Sequence, residues 1–127
     1  MKEAKDSGAT ELNLEDNNIS DLSPLAGLAN LEVLELGDNK ISDLTPLAEL
    51  TNLKRLNLDA NNISDVSSLT GLMNLTRLDL SFNSISDFTP LARLTNLEML
   101  LLFNNNITVS QKAMLEKALP NTDIIWD

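Results

Sequence analysis

The chain contains no cysteine and no histidine. Those two absences exclude disulfides, thiolate or imidazole zinc sites, and every Cys–His or Ser–His catalytic arrangement. Tyrosine is missing too, and the aromatic residues are three Phe and one Trp. No run of about 18 apolar residues occurs, so no segment reads as a membrane-spanning helix and no membrane insertion is expected. The opening residues, MKEAKDSGAT, lack the apolar stretch of a signal peptide, and as written the chain is expected to stay in the cytoplasm where it is made. The lack of thiols by itself leaves the compartment open. Positive charge is also scarce: nine Lys and Arg stand against nineteen Asp and Glu, for a net charge of −10. Nucleic acid and anionic membrane surfaces both demand a basic footprint, so neither is an expected partner.

What is present is a repeat. At 127 residues the chain has the size of one domain, and it aligns with itself at a period of 22. LEVLELGDNKISDLTPLAELTN (31–52), LKRLNLDANNISDVSSLTGLMN (53–74) and LTRLDLSFNSISDFTPLARLTN (75–96) superpose without a gap. ATELNLEDNNISDLSPLAGLAN (9–30) is the same unit, and a fifth copy starting at Leu97 keeps register through Asn105 and Ile107. Repeats of this length predict a solenoid, in which each unit buries its apolar face against its neighbours.

Within the unit, L-x-x-L-x-L alternates at period two, as a half-buried strand does. Leu34 and Leu36, with Leu56, Leu58, Leu78 and Leu80, point to the core. Asn17, Asn39, Asn61, Asn83 and Asn105 follow at one fixed position, and an amide there can satisfy unpaired backbone donors and acceptors at a turn. Ile19, Ile41, Ile63, Ile85 and Ile107 are again core positions. The recurring Ser-Asp pairs (Ser20-Asp21, Ser42-Asp43, Ser64-Asp65, Ser86-Asp87) suit side-chain-to-backbone bonds. Ser23-Pro24, Thr45-Pro46 and Thr89-Pro90 then read as a capping hydroxyl before a helix-starting proline. Ser67-Ser68 lacks the proline and predicts the loosest turn. The helical piece is short enough to be 3₁₀.

L-x-x-L-x-L-x-x-N-x-I in five copies resembles the leucine-rich repeat, and the ISDLTPLAELTN form resembles the internalin-type repeats of bacterial surface proteins. It is similar also to the repeats of a regulatory subunit of protein phosphatase 1. The resemblance implies an α/β solenoid: a right-handed superhelix with a parallel β-sheet on the concave face and short 3₁₀ or helical turns on the convex face. It implies protein binding through the concave face and, for the internalin-like case, a secreted or surface parent protein.

The expected organisation is a short N-terminal cap or tail (1–8), five repeats (9–107, starting at 9, 31, 53, 75 and 97) and a C-terminal cap (108–127). In the first segment Met1 and Ala4 would lie over the first repeat, with Gly8 ending a short helix. Internalins carry a larger helical front cap, and EAKDSGATELNL looks instead like the entry into repeats of certain cyanobacterial proteins and Roco-type GTPases. That departure fits either a minimal cap or an excised or redesigned domain. In the last segment Thr108 or Ser110 would cap a helix whose stripe is Ala113, Met114, Ala118 and Leu119, Pro120 would stop it, and TDIIW would add a sixth strand. Met114 and Trp126 are read as packing residues there.

Three positions of each strand face away from the core: Glu11, Asn13, Glu15; Val33, Glu35, Gly37; Arg55, Asn57, Asp59; Arg77, Asp79, Ser81; and Met99, Leu101, Phe103. Phe82 lies on the rim. The face is acidic first, mixed in the middle, and apolar at the end. Candidate partner-binding residues are Met99, Leu101, Phe103, Phe82, Arg77, Arg55, Asp79, Glu35 and Val33. Three readings stay open for Met99, Leu101 and Phe103: they are covered by the C-terminal segment, they anchor a protein or peptide partner, or they form a homodimer contact. Arg55 and Arg77 either pair with Asp59, Asp79 and neighbouring carboxylates, or flank the anchor and set charge complementarity. A runner-up function is a self-associating or engineered scaffold without a native ligand. Glu35 beside Asp59 or Asp79 is a poor acid–base pair without a pocket to shift it, and the acidic pair Asp16 and Asp38 is a poor metal site. No enzyme activity, cofactor or metal is expected.

Overall fold

The computed structural model describes residues 8–126; the expected front helix over Met1 and Ala4 lies outside them. Six three-residue strands, β1 (Glu11–Asn13), β2 (Val33–Glu35), β3 (Arg55–Asn57), β4 (Arg77–Asp79), β5 (Met99–Leu101) and β6 (Asp123–Ile125), form one open parallel sheet in chain order. Register advances by one repeat per strand: Leu34 lies beside Leu56, Leu56 beside Leu78, and Leu78 beside Leu100. Opposite the sheet run four 3₁₀ turns, η1 (Ser23–Leu25), η2 (Thr45–Leu47), η3 (Ser67–Leu69) and η4 (Thr89–Arg93). Between the two layers lies one continuous core of Leu and Ile with Val66 and Phe88. Leu34, Leu36, Ile41, Leu47 and Leu50 are fully buried, as are their counterparts in the next two turns.

The amide ladder forms as its spacing suggests. Asn39 accepts from the Asn17 and Ile19 backbone N–H groups at 3.0 and 2.9 Å, and donates to the Leu14, Leu36 and Gly37 carbonyls. Asn61, Asn83 and Asn105 repeat the three donated bonds on successive turns and each accept the N–H of the preceding repeat's isoleucine, Ile41, Ile63 or Ile85. The Asn17 side chain, at the exposed first turn, bonds only its neighbour Glu15 O among the described residues. The strand ladder itself runs past the strands: the Asp16, Asp38, Ala60 and Phe82 N–H groups each reach the carbonyl of the next turn. Each of these residues, and Asn104, has a positive φ of 51–58°, which bends the chain sharply out of the sheet.

One expectation needs correction. The residue before each proline is not the cap. The position ahead of each 3₁₀ turn is apolar (Leu22, Leu44, Val66 or Phe88) and offers no side-chain bond. The aspartate of the Ser-Asp pair does the work instead, accepting the N–H of Ser23, Thr45, Ser67 or Thr89 at 2.9–3.0 Å. The backbone bond holds Asp21, Asp43 and Asp65 below the usual carboxylate range, and the Thr89 hydroxyl chiefly does so for Asp87. A carboxylate reaches an N–H two residues on in a compact turn, and the Thr45 and Thr89 hydroxyls are themselves donors to the same aspartates. A second amide ladder, with no counterpart in the sequence expectations, joins the turns: Asn52, Asn74 and Asn96 donate to the Ala29, Thr51 and Met73 carbonyls, each at 2.8 Å.

Without its proline, η3 still closes, but the Thr70 N–H to Ser67 carbonyl distance stretches to 3.4 Å, against 3.1 and 3.2 Å in η1 and η2. Pre-setting that backbone should help. Ser68→Pro is expected to raise the unfolding free energy by about 0.5–1 kcal/mol in urea titration; an unchanged or lower midpoint would mean the site is strained.

The last repeat is followed by α1 (Val109–Ala118). Thr108 caps it, accepting the Gln111 N–H at 3.1 Å. The buried side chains are Leu115 and Leu119, with Met114 and Ala118 partly covered, while Ala113 of the expected stripe is exposed. Gln111 reaches across to accept the Phe88 N–H at 2.7 Å and ties α1 to the last 3₁₀ turn. Trp126 packs against the core edge with Lys112 Nζ 5.5 Å from its ring centre.

Candidate binding face

The pairing register arranges the concave face in columns. The first reads Glu11, Val33, Arg55, Arg77, Met99, Asp123, and the second Asn13, Glu35, Asn57, Asp79, Leu101, Ile125. Ile125 therefore stands beside Leu101 and lengthens the apolar patch by one strand. Met99, Leu101, Phe103 and Ile125 are each half-buried by their sheet neighbours, and none packs into the core. Helix α1 lies against η4, on the far side of the sheet from these four side chains. Among the described residues, then, the terminal helix and strand leave the patch facing outward.

Phe82 stands one turn earlier on the rim, 54% exposed. Its backbone N–H donates to Phe103 O at 2.7 Å, which sets the two aromatic residues on adjacent turns. Its φ of +58° is unfavourable for a bulky L-residue, and the equivalent positions hold Asp16, Asp38, Ala60 and Asn104. Asn is at home in that conformation. Phe82→Asn is thus expected to raise stability by about 1 kcal/mol in chemical denaturation; a loss of stability would show that the ring supports the fold.

The arginines do not form the expected carboxylate network. Among the described residues the single ion pair is Lys54 with Glu32 at 3.2 Å, off the face. Arg55 and Arg77 are exposed neighbours across β3 and β4, and Arg77 Nη1 donates to Met99 Sδ at 3.1 Å. Glu35 and Asp79 line a shallow depression with Arg55, Asn57 and Arg77. Val33 borders another with Glu11 and Asn13. The carboxylates toward the other strand end repel one another. Burial, then the Asp79 and Asp38 charges, push the Asp59 carboxyl above its ordinary value. Desolvation, then Glu35 and Asp59, raise Glu15. Asp59 leans into the space over Gly37, where any side chain would collide with its carboxylate. No group of three or more carboxylates among the described residues is placed to hold a metal ion.

A solenoid of this build, with a parallel strand, an asparagine and a 3₁₀ turn per repeat, is a leucine-rich-repeat domain. A family model described as Leucine Rich repeats (2 copies) matches residues 10–49 and 51–93, and the chain belongs to that family. Among solved structures it is similar to an internalin (inlF) of Listeria monocytogenes, at 34% identity and a TM-score of 0.81 over 85% of this chain and 32% of that one. It is similar also to a leucine-rich-repeat protein of Leptospira interrogans, at 30% identity and a TM-score of 0.84 over 94% of this chain and 33% of that one. Internalin C2 of Listeria monocytogenes follows at 36% identity and a TM-score of 0.70, over 90% and 59%. The chain thus spans about a third of the length of the first two and under two thirds of the other. No curated protein sequence matches it. Proteins of this family typically mediate protein–protein interaction, and the fold is generally non-enzymatic.

Proposed function

We propose that this domain is a non-catalytic protein-binding module that docks a protein or peptide partner on its concave sheet, anchored by Met99, Leu101, Phe103 and Phe82. The observation that carries this reading is the outward-facing patch of Met99, Leu101, Phe103 and Ile125, which the terminal helix and strand leave open. Phe82 adds to it, because an exposed aromatic residue at positive φ serves neither core nor turn. Clustered apolar side chains on an otherwise charged surface are the usual centre of a protein interface. A sheet already ordered by two amide ladders loses little entropy on docking. Arg55, Arg77, Glu35, Asp79 and Val33 extend the contact toward the acidic end of the face. A net charge of −10 works against face-to-face pairing of two copies.

The test combines light scattering with site-specific photo-crosslinking. A monomeric mass at all concentrations, with partner adducts from a crosslinker at Leu101 and none from one at Ser86 on the outer loop, supports the reading. A mass that doubles with concentration, and returns to one chain in Met99→Lys, sinks it in favour of a self-associating scaffold.

A further inference from the structure

Arg55 and Arg77 are direct neighbours in the first column of the face, where like charges in register repel. Carboxylates are abundant in this chain, yet neither guanidinium is ion-paired with a described residue. Arg77 is turned to Met99 Sδ, a weak acceptor, which lays its charge against the apolar patch. The same two side chains line two shallow depressions in the middle of the face, one with Glu35 and Asp79, the other with Met99, Glu98 and Asp123. Two guanidinium groups side by side are the natural complement of a carboxylate, which each can grip with two parallel N–H bonds.

Resting on the protein-binding reading above, we propose that the occupant is an exposed polypeptide segment carrying an aspartate or glutamate two residues from its aliphatic or aromatic anchor. The spacing follows from the sheet. The middle of the Arg55–Arg77 pair lies one and a half strand intervals from β5, or about 7 Å. An extended segment crossing the strands presents side chains i and i+2 on one face at about that distance. With the anchor over Met99 and Leu101, its second neighbour falls on the arginines. Glu35 and Asp79 in the neighbouring column, and Glu98 and Asp123 around the other depression, repel a carboxylate placed off the pair, so the segment carries a single acidic residue at that point and not an acidic run.

The experiment is selection of a random dodecapeptide phage library on the folded chain at low salt, followed by fluorescence anisotropy with the selected peptides. Peptides with Asp or Glu two residues from a Leu, Ile, Met or Phe are expected. Lysine in place of that acid should weaken binding at least about tenfold. Arg55→Glu/Arg77→Glu should reverse the preference, and Arg55→Gln/Arg77→Gln should abolish it, with unchanged circular dichroism in both. Peptides that Met99→Lys rejects but that show no acidic preference, or a basic one, overturn this proposal and leave the binding module standing. Peptides indifferent to Met99→Lys, or no enrichment together with a doubled mass, overturn both.

Discussion

Asn61→Ala is expected to lower the unfolding free energy by about 3 kcal/mol in urea denaturation, at the upper end of the cost of orphaned buried polar groups. The side chain is 8% exposed. It accepts the Ile41 N–H at 3.0 Å and donates to the Leu36, Leu58 and Asp59 carbonyls at 3.1, 3.0 and 3.2 Å. Truncation strands these groups between two turns where water has little access, and no nearby side chain can replace an amide that is both donor and acceptor. Asn61→Asp tests the donor half, since a carboxylate keeps the acceptor but sets negative charge against three carbonyls. Asn17→Ala is the control: that amide is exposed and among the described residues makes a single bond, to Glu15 O, so a small change is expected. Equal losses at the two sites would refute the view that the ladder acts by satisfying buried backbone.

The second large effect concerns the other end of the stack. Phe88→Ala is expected to cost about 4 kcal/mol, by lost burial plus the cavity left behind. Phe88 is fully buried and fills the position that Leu22, Leu44 and Val66 hold in earlier turns. Its backbone N–H is the one bound by Gln111 of α1, so a void there loosens the seat of the helix as well. Phe88→Leu returns the site to the side chain used at Leu22 and Leu44, and about 1 kcal/mol is expected. Thermal unfolding with amide exchange in α1 reads both effects. Faster exchange in α1 for Phe88→Ala alone is the expected pattern, and indistinguishable Ala and Leu variants would count against it.

Most of the architecture was legible because each repeat states it again. The alternation around Leu34 and Leu36 marked the strand, Asn39 and its equivalents the ladder, and Pro24, Pro46 and Pro90 the 3₁₀ turns. What escaped was geometry finer than the pattern. Asp43 and Thr45 are both plausible caps from sequence, and only backbone direction assigns the bond to the aspartate. Asn52, Asn74 and Asn96 recur at the last repeat position, so the second ladder had a signal that was not used. Beyond residue 107 there is no repeat to average over: Met114, Ala118 and Leu119 of the expected helix stripe are covered, but the stripe takes in Leu115 and leaves Ala113 exposed. On the binding face the identities of Met99, Leu101 and Phe103 were plain. Ile125 joins them only if the sixth strand keeps register, which it does. The positive φ at Phe82 has no mark in a single repeat, although Asp16, Asp38 and Asn104 at the same place hint at it.

The hydrogen bonds between repeats have a mechanical consequence. Both amide ladders and the strand ladder join each turn only to the one before or after it, with partners no more than 25 residues apart. Under tension applied at the two ends, load therefore passes through the turns in series, with no strut among the described residues spanning several of them. The stack should peel from an end and release one coil of 22 residues, about 75 Å of extended chain, at each rupture. A partner seated across β3 to β5 would clasp neighbouring coils together and act as a cross-strap that the described turns lack.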